Sequence, residues 1–545
     1  MEIKKTDIYT SLTASAYNKP EAVALVAAGK NWSFHELLMK VDRAADMFWG
    51  FGIRKGDKVA IALKNSAEVV IANYALYKIG AISVPINFLI SKAGELKFIL
   101  GDCNVKIVIT QAEYLRHYAD IKKDLPDLRY ILSTDEIPSS VKEFNDNNIR
   151  LFWPELENSK FNNAILSSRA ELADIAMLLY TSGTTGNPKG VILTHLNIMS
   201  NAHSGALSFK ITEDDVFVCI LPMFHTFAWM TCVILPLALG CKVVVVANIT
   251  PASAWLHMMG REKVSIMLAV PQLFAVLAKE AKGFKRLYLL YWAFRKMRIC
   301  ISGAAPLSAD TYKRFLEQLD LPILEGYGLT ETSPVVCVNT EHSNKPGTVG
   351  INFPYVKVRI TDDDGKELPR NTEGEICIKG ENVTRGYYNN PQATAEAFDK
   401  EGWLKTGDIG VIDDEGFIQI RDRKKDMIII KGLKVFSAQV EHVVNEYPAV
   451  EECAVVGVPD GQGGEFIKLY VVKRKEIEFN DADFRKFLKN KLDNYKRPRD
   501  IEFMEELPKN ALRKILKKDL RKDAVEKFKA RVASGAEKQE VMADL

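Results

Sequence analysis

Two stretches of the chain repeat the order strand, helix, glycine, strand, and this order restricts the fold to an alternating α/β architecture. In the first stretch, the apolar run 59–63 predicts a strand and 68–79 predicts a helix. Gly80 then ends the helix, and the apolar run 82–86 predicts a second strand. Two strands joined by a helix form a βαβ unit, which normally has parallel strands and a right-handed crossover.

The second stretch has the same order, although its residues differ. It contains a predicted strand, helix and strand at 216–221, 227–239 and 241–246, with Gly240 before the last strand. Further apolar runs at 265–270 and 297–302 predict additional strands of this lobe. We therefore expect two βαβ lobes whose parallel strands are buried on both faces.

The pattern changes after about residue 350. Alternating residues at 356–360 and 374–380 predict a small antiparallel, β-barrel-like subdomain, and the charged run 421–426 indicates a boundary. We predict an α/β protein with a large N-terminal domain, 1–422, followed by a small α+β domain, 423–545.

Composition excludes several function classes. The 545 residues carry a net charge of +3 from nearly balanced pools, so neither the charge nor any motif indicates nucleic-acid binding. Eight scattered cysteines without a CxxC pair argue against zinc or a disulfide framework and favour a reducing cytoplasm. The N-terminus lacks the apolar core of a signal peptide. The apolar stretch 231–249 is broken by Pro236, Gly240 and Lys242, so a buried helix, turn and strand fit it better than a membrane span.

One helix start is marked by its own residues. Ser33 is followed three residues later by Glu36, which is the spacing of a capping box. Apolar residues then recur at helical spacing, at Leu37, Leu38, Val41, Ala45 and Phe48. We expect a helix whose apolar stripe faces the core.

The segment 180–191, YTSGTTGNPKGV, is the most informative for chemistry. Glycines and small hydroxyl residues let backbone amides converge on a phosphate, and Lys189 adds a positive charge. A Walker A loop has Ser or Thr directly after its Gly-Lys pair, whereas Gly190 follows the lysine here. A kinase or GTPase loop is therefore not indicated, and a flexible surface loop is the structural alternative.

This loop resembles the phosphate-binding signature of the adenylate-forming superfamily, which includes the acyl-CoA synthetases and aryl-CoA ligases. Further segments resemble the later signatures of that superfamily, in the same order: LPMFHTF at 221–227, SGAAPL at 302–307, EGYGLTET at 325–332, WLKTGD at 403–408, RDRKKD at 421–426 and PKNALRK at 508–514. The resemblance extends over most of the chain and implies an ATP-dependent acid–thiol ligase. Its substrates would be ATP, a carboxylic acid and coenzyme A, with Mg²⁺ as the metal.

The resemblance also implies roles for individual residues. Thr181 and Glu331 would hold Mg²⁺, Lys189 and Thr330 would contact phosphate, and Tyr327 would stack on adenine. Asp408 would accept the ribose hydroxyls, with Arg423 beside it. The remaining predicted nucleotide contacts are Ser182, Gly183, Thr184, Thr185, Gly186, Ala305, Glu325 and Gly326.

The resemblance also implies roles for residues in the C-terminal part of the chain. Lys514 would bridge the carboxylate and phosphate oxygens during adenylation. The resemblance implies that 1–422 is an adenylation domain that binds ATP and the acyl group, and that 423–545 is a small mobile domain with a hinge near 423–426. Lys425 would be the residue about which this domain rotates before thiol transfer. Lys431 and Gly432 would contact CoA.

For the acid, the second motif places His225 at the mouth of the acyl pocket. Phe227 and Trp229 would provide aromatic walls, and Gly303 and Ala304 a small-residue wall, which suits an apolar chain. The FHTFAW wording resembles bacterial long-chain fatty-acyl-CoA synthetases, so we predict a medium- or long-chain fatty acid. An aromatic or alicyclic acid, and an acyl carrier protein as acceptor, are the alternatives. The oligomeric state stays open, with a homodimer as one alternative.

The segment 282–298 contains five aromatic and six basic residues. Such a mixture is found in helices that lie on an anionic membrane, here the inner face of the cytoplasmic membrane. A surface helix with its basic residues in water is the alternative interpretation, and the sequence slightly favours it.

Overall fold

The computed structural model describes residues 6–142, 147–161, 169–181, 187–430, 433–460, 464–509 and 515–533. Packing divides the chain into two compact units. The first comprises Met1–Val358 and Cys377–Lys405, and the second comprises Arg359–Ile376 and Thr406–Leu545.

The strands of the described residues are, in chain order, β1 (Val23–Ala27), β2 (Lys30–Ser33), β3 (Lys58–Ala62), β4 (Ile82–Pro85), β5 (Val105–Thr110), β6 (Tyr130–Ser133), β7 (Ile149–Leu151), β8 (Ile175–Thr181), β9 (Lys189–Thr194), β10 (Val216–Cys219), β11 (Lys242–Val245), β12 (Ile266–Ala269), β13 (Ile299–Ser302), β14 (Ile323–Gly328), β15 (Val335–Val338), β16 (Ile351–Asn352), β17 (Lys357–Thr361), β18 (Gly374–Lys379), β19 (Leu404–Ile412), β20 (Ile418–Arg423), β21 (Ile428–Ile430), β22 (Leu433–Val435), β23 (Val450–Pro459), β24 (Glu465–Lys473) and β25 (Asp500–Met504).

The helices are α1 (Ile8–Asn18), α2 (Phe34–Gly50), α3 (Ala67–Lys78), α4 (Ala93–Asp102), α5 (Ala112–Ile121), α6 (Ser139–Lys142), α7 (Phe152–Glu157), α8 (His195–Ser208), α9 (Thr226–Ala228), α10 (Leu235–Ala238), α11 (Ala252–Glu262), α12 (Pro271–Glu280), α13 (Gly283–Tyr288), α14 (Ala309–Leu319), α15 (Pro391–Ala397), α16 (Ser437–Asn445), α17 (Asp481–Lys491) and α18 (Lys517–Ala533). Two π-helical segments, Trp229–Ile234 and Leu289–Ala293, continue α9 and α13.

A seven-stranded sheet forms the first lobe, in the order β7-β6-β5-β3-β4-β8-β9. All of its pairs are parallel except the last, in which β9 returns antiparallel to β8. The strands predicted at 59–63 and 82–86 are β3 and β4, and the helix between them is α3. The prediction of the first βαβ unit is confirmed.

A nine-stranded sheet forms the second lobe, in the order β16-β15-β14-β13-β12-β10-β11-β1-β2. The six strands from β14 to β1 are parallel, and antiparallel strands lie at both edges. The predicted strands at 216–221, 241–246, 265–270 and 297–302 are β10, β11, β12 and β13. The two α/β lobes expected from the sequence are therefore present.

The helix predicted at 227–239 extends over α9, the π-helical segment and α10. Its middle differs from the expected α-helix, since Trp229–Ile234 is π-helical. All six residues of this segment are buried, which explains the long apolar stretch without a membrane span. Among the described residues, no helix is long and apolar enough to cross a membrane.

The predicted capping box begins α2. The Glu36 backbone N–H donates to Ser33 Oγ at 3.1 Å, and the Ser33 N–H donates to Glu36 Oε2 at 2.9 Å. Each side chain satisfies one amide that the first turn of a helix leaves without a partner. Leu37, Val41, Ala45 and Phe48 are buried as predicted, and Leu38 is partly buried.

The second unit has its own core. A three-stranded sheet, β23-β24-β25, alternates buried residues between its two faces. One face packs with residues of α16 and α17, and the other packs with α18 residues such as Leu520 and Phe528. A four-stranded sheet, β17-β18-β19-β20, has most of its residues in this unit. The predicted order of a large α/β part followed by a small α+β part is confirmed.

Candidate functional site

The predicted phosphate-binding loop is carried by the β8–β9 hairpin. Thr181, the last residue of β8, lies opposite Lys189, the first residue of β9. Thr181 Oγ1 donates a hydrogen bond of 3.5 Å to the Lys189 carbonyl oxygen. The hairpin therefore places a hydroxyl and an ammonium group at the two ends of the loop.

A second segment, 384–388, runs beside β9. The Ile192 N–H donates to the Gly386 carbonyl at 3.1 Å, and the Tyr388 N–H donates to the Gly190 carbonyl at 2.7 Å. Gly190 faces the Tyr180 ring, and a Cβ at this position would lie 3.0 Å from that ring. This pairing carries Tyr387, opposite Val191, to the site.

Glu331 lies in the short helical turn Thr330–Thr332 and is held by the same segment. Tyr387 Oη donates to Glu331 Oε1 at 2.9 Å, and the Thr384 N–H donates to the Glu331 carbonyl at 2.8 Å. Lys189 Nζ lies 5.2 Å from the centroid of the Tyr387 ring, a cation–π distance. The first unit thus brings Lys189, Tyr387 and Glu331 into one cluster.

Tyr387 keeps its proton in this cluster. Burial, followed by the neighbouring Glu331 carboxylate, raises the pKa of the Tyr387 hydroxyl well above its usual value. It therefore donates to the carboxylate as a neutral group. Sequence reasoning missed Tyr387, and the only local signal is a tyrosine pair directly after Gly386.

The predicted nucleotide strand is β14, which carries Glu325, Gly326 and Tyr327. Glu325 lies beside Ser302 of β13, and the Leu307 N–H donates to Glu325 Oε1 at 3.2 Å. This hydrogen bond joins the EGYG segment to the turn that contains Ala305. Burial raises the pKa of the Glu325 carboxyl to about 7, partly offset by the Leu307 amide.

The predicted acyl-pocket residues differ in their surroundings. Phe227 lies against Gly303, where a Cβ would be 3.0 Å from Phe227 Cζ. Trp229 instead lies in the core, 1% exposed, and its Nε1 donates to Tyr77 Oη at 3.0 Å. Ala304 follows Gly303 with a left-handed φ of 68°.

His225 precedes α9, and its ring lies 4.3 Å from that of Phe224. Its Nε2 is buried and has no hydrogen-bond partner among the described residues. Burial lowers the pKa of His225 to about 4, so the imidazole is neutral at pH 7. A neutral ring beside Phe224 fits an apolar ligand better than an anion.

The second unit holds the predicted ribose contact. Asp408 of β19 lies opposite Arg423 of β20, and Arg423 Nε is 3.2 Å from Asp408 Oδ1. Asp408 is 3% exposed, whereas the Arg423 side chain is 39% exposed. Lys425 follows in the turn after β20, and burial, aided by Arg423, lowers the pKa of its ammonium group.

Eight predicted residues lie outside the described residues, namely Ser182, Gly183, Thr184, Thr185, Gly186, Lys431, Gly432 and Lys514. Their flanking residues are described. Ile430 of β21 pairs with Leu433 of β22, on either side of the predicted CoA contact. Lys509 and Ile515 pair across the segment that contains Lys514.

Two protein-family models match this chain. The model of the AMP-binding enzyme family matches residues 12–388, well over half of the chain. The chain belongs to the AMP-binding enzyme family. The model of the AMP-binding enzyme C-terminal domain matches residues 439–514. The resemblance to adenylate-forming enzymes predicted from the ordered motifs is thus confirmed.

Relatives of this AMP-binding enzyme include ligases for different acids. It is 32% identical over 541 residues to a long-chain-fatty-acid–CoA ligase of Bacillus subtilis (strain 168), covering 94% of each chain. It is also 32% identical to a 2-succinylbenzoate–CoA ligase of Bacillus cytotoxicus, covering 95% of this chain and 98% of the relative.

A solved structure supports the fold of this AMP-binding enzyme. The anthranilate CoA ligase AuaEII, in complex with anthranoyl-AMP, matches with a TM-score of 0.86 and 27% identity. The match covers 96% of this chain and 98% of that one. The anthranilate ligase and the 2-succinylbenzoate ligase are both named for acids that are not fatty acids. Membership of the family therefore does not define which acid this chain activates.

Proposed function

We propose that this AMP-binding enzyme is an ATP-dependent acyl-CoA synthetase that activates a medium- or long-chain fatty acid. The observation that carries the proposal is the cluster of Lys189, Tyr387 and Glu331 at the described end of the β8–β9 hairpin. A carboxylate and a polyphosphate repel each other, so their reaction needs a site that supplies cations and hydrogen-bond donors.

In the first half-reaction, an oxygen of the substrate carboxylate attacks the α-phosphorus of ATP. The bond from that phosphorus to the bridging oxygen breaks, and pyrophosphate leaves. Lys189 and Thr330 would bind phosphate oxygens, Asp408 would accept the ribose hydroxyls, and Lys514 would hold the carboxylate against the phosphate.

In the second half-reaction, the thiol of CoA releases its proton to solvent and its sulfur attacks the acyl carbonyl carbon. AMP leaves as the acyl–oxygen bond breaks. Lys431 and Gly432 would contact CoA. We also propose Lys425 as the hinge of the small domain, because it lies in the turn directly after β20.

Glu331 and Thr181 fit a magnesium ion, since a carboxylate and a hydroxyl are hard oxygen ligands. Among the described residues no group of three or more His, Cys, Asp or Glu forms a metal site. Thr181 and Glu331 would hold the ion together with oxygens of ATP. The ion would neutralise the charge of the departing pyrophosphate.

The apolar character of the pocket residues supports a fatty acid as the substrate. Phe227 lies against Gly303, and the neutral His225 lies beside Phe224, so these groups offer an apolar surface to a chain. The Bacillus subtilis relative is a long-chain-fatty-acid–CoA ligase. An aromatic acid is the second candidate, because the 2-succinylbenzoate relative is equally identical. The eight free, buried cysteines favour the cytoplasm.

Mass spectrometry of the products tests the proposal. The enzyme is incubated with ATP, Mg²⁺, CoA and fatty and aromatic acids of graded size. Lys514→Ala serves as the inactive variant, and Lys529→Ala, an exposed lysine on α18, is the matched control. We expect acyl-CoA and AMP with the native chain and the control, with the highest rates for long fatty acids.

The other outcomes distinguish the alternatives. Acyl-AMP without acyl-CoA would indicate a carrier protein as the acceptor, and highest rates with aromatic acids would replace the fatty acid. Formation of ADP, or full activity in Lys514→Ala, would refute the proposed mechanism.

A further inference from the structure

The helix formed by α13 and its π-helical continuation, residues 283–293, packs firmly on one side. Leu289 and Ala293 are 2% and 1% exposed. Trp292 lies on Gly260 of α11 so closely that a Cβ at Gly260 would be 2.3 Å from Trp292 Nε1. Arg286 Nε also donates to the Gln318 carbonyl at 2.8 Å. The helix is therefore a fixed part of the first unit.

Its other side exposes a row of large apolar side chains. Phe284, Leu287, Tyr288 and Tyr291 are 91%, 48%, 38% and 75% exposed. Their spacing of i, i+3, i+4 and i+7 places them on one helix face. The helix thus has a buried apolar side, which faces the core, and a second apolar side, which faces solvent. An exposed apolar stripe of this kind indicates an interaction surface.

The segment that carries the stripe is positively charged. Lys282, Lys285 and Arg286 are exposed beside it, and Arg295 and Lys296 are exposed at the end of the helix. No acidic residue occurs between 282 and 298. Glu280, which pairs with Lys285, is the nearest acidic residue before this segment. The surface therefore combines aromatic rings with cationic groups.

We propose that this face docks on an anionic lipid bilayer. Aromatic rings favour the boundary between headgroups and acyl chains, and basic residues beside them are attracted to anionic headgroups. A second copy of the chain fits less well, because it would bring Lys282, Lys285 and Arg286 near the same charges of its partner. The proposal does not depend on which acid the enzyme activates. For a fatty-acid substrate, it would place the enzyme where such an acid partitions.

Co-sedimentation of the full chain with vesicles tests the proposal. Vesicles of pure phosphatidylcholine are compared with vesicles in which phosphatidylglycerol replaces about a third of the lipid, at low and at high salt. We expect binding to the anionic vesicles only, weakened by salt because the attraction is electrostatic. Phe284→Ser/Tyr291→Ser should weaken binding about tenfold or more, since it removes the most exposed rings.

Two further variants separate the contributions. Lys282→Gln/Lys285→Gln/Arg286→Gln should reduce binding and its dependence on salt. Tyr17→Ser removes an exposed aromatic residue, 88% exposed, from another helix and should bind as the native chain does. Thermal unfolding of every variant checks whether the fold is intact, and no part of the assay requires enzymatic activity.

Absence of binding to anionic vesicles at low salt would overturn the proposal. So would equal binding by the native chain and Phe284→Ser/Tyr291→Ser. If instead that variant changes a monomer–dimer equilibrium in sedimentation velocity, without vesicle binding by the native chain, the face is an interface between copies.

Discussion

Glu325→Gln should change how the stability of the first unit depends on pH. The Glu325 carboxyl is half-buried beside β13 and the turn at Leu307, and this burial raises its pKa from 4.5 to about 7. The folded state therefore keeps a proton on Glu325 that the unfolded chain has already released between these two values. Glutamine resembles the protonated carboxyl in size and keeps an oxygen that can accept from the Leu307 amide.

The two pKa values of Glu325, in the folded and the unfolded chain, determine how the unfolding free energy changes with pH. Because the folded state binds the proton more tightly, the contribution of Glu325 is fully present below pH 4.5 and is lost as the pH rises through about 7. A difference of about 2.5 units corresponds to about 3 kcal/mol of unfolding free energy. The native chain should therefore lose about 3 kcal/mol relative to Glu325→Gln between pH 4.5 and pH 8.

Urea unfolding of both proteins at several pH values measures this difference. Other titrating groups are common to the two proteins, so their effects cancel when the free energies are subtracted. Glu317→Gln, an exposed change on α14, controls for the loss of one negative charge. If the difference between the native chain and Glu325→Gln is independent of pH, burial does not govern this carboxyl and the reasoning fails.

Three further substitutions test the site. Tyr387→Phe removes the donor to Glu331 and should slow AMP formation about tenfold, measured over a range of Mg²⁺ concentrations. An unchanged rate at every concentration would contradict the role of this hydroxyl. Asp408→Asn removes the charged partner of Arg423 and should weaken ATP binding about tenfold in titration calorimetry. An unchanged Kd would refute the ribose contact. Gly303→Ala places a Cβ 3.0 Å from the facing phenyl ring, so kcat/KM should fall most for the longest acids. A uniform fall across acids of all lengths would contradict a pocket wall at this position.

The parts of the fold that were predictable are those with a local signal. The βαβ units follow from apolar runs of characteristic length, and the start of α2 follows from Ser33 and Glu36. The π-helical segment Trp229–Ile234 has no such signal, because an all-apolar helix shows no periodicity that would distinguish the two helix types. It is defined by packing within the second lobe and against distant residues.

The same distinction applies to the site. The motifs predict roles for Lys189 and Glu331 because phosphate loops and the segments that accompany them have recognisable residue types. Tyr387 is brought to Glu331 across 56 positions by the pairing of 384–388 with β9, and no local pattern encodes that pairing. The contact of Trp229 is equally non-local. Its indole N–H donates to Tyr77, which is 152 positions away.

The position of Tyr387 has a consequence for the electrostatics of the proposed reaction. Its hydroxyl holds the Glu331 carboxylate through a neutral hydrogen bond, and the face of its ring lies 5.2 Å from the Lys189 ammonium group. A neutral donor fixes the direction of a carboxylate and leaves its charge uncancelled. A direct lysine–glutamate ion pair would cancel that charge. In the proposed reaction, the negative charge of Glu331 would then stay available for the metal ion, and the positive charge of Lys189 for phosphate. We infer that Tyr387 keeps two opposite charges apart within one cluster, so that each can bind a different part of magnesium-bound ATP.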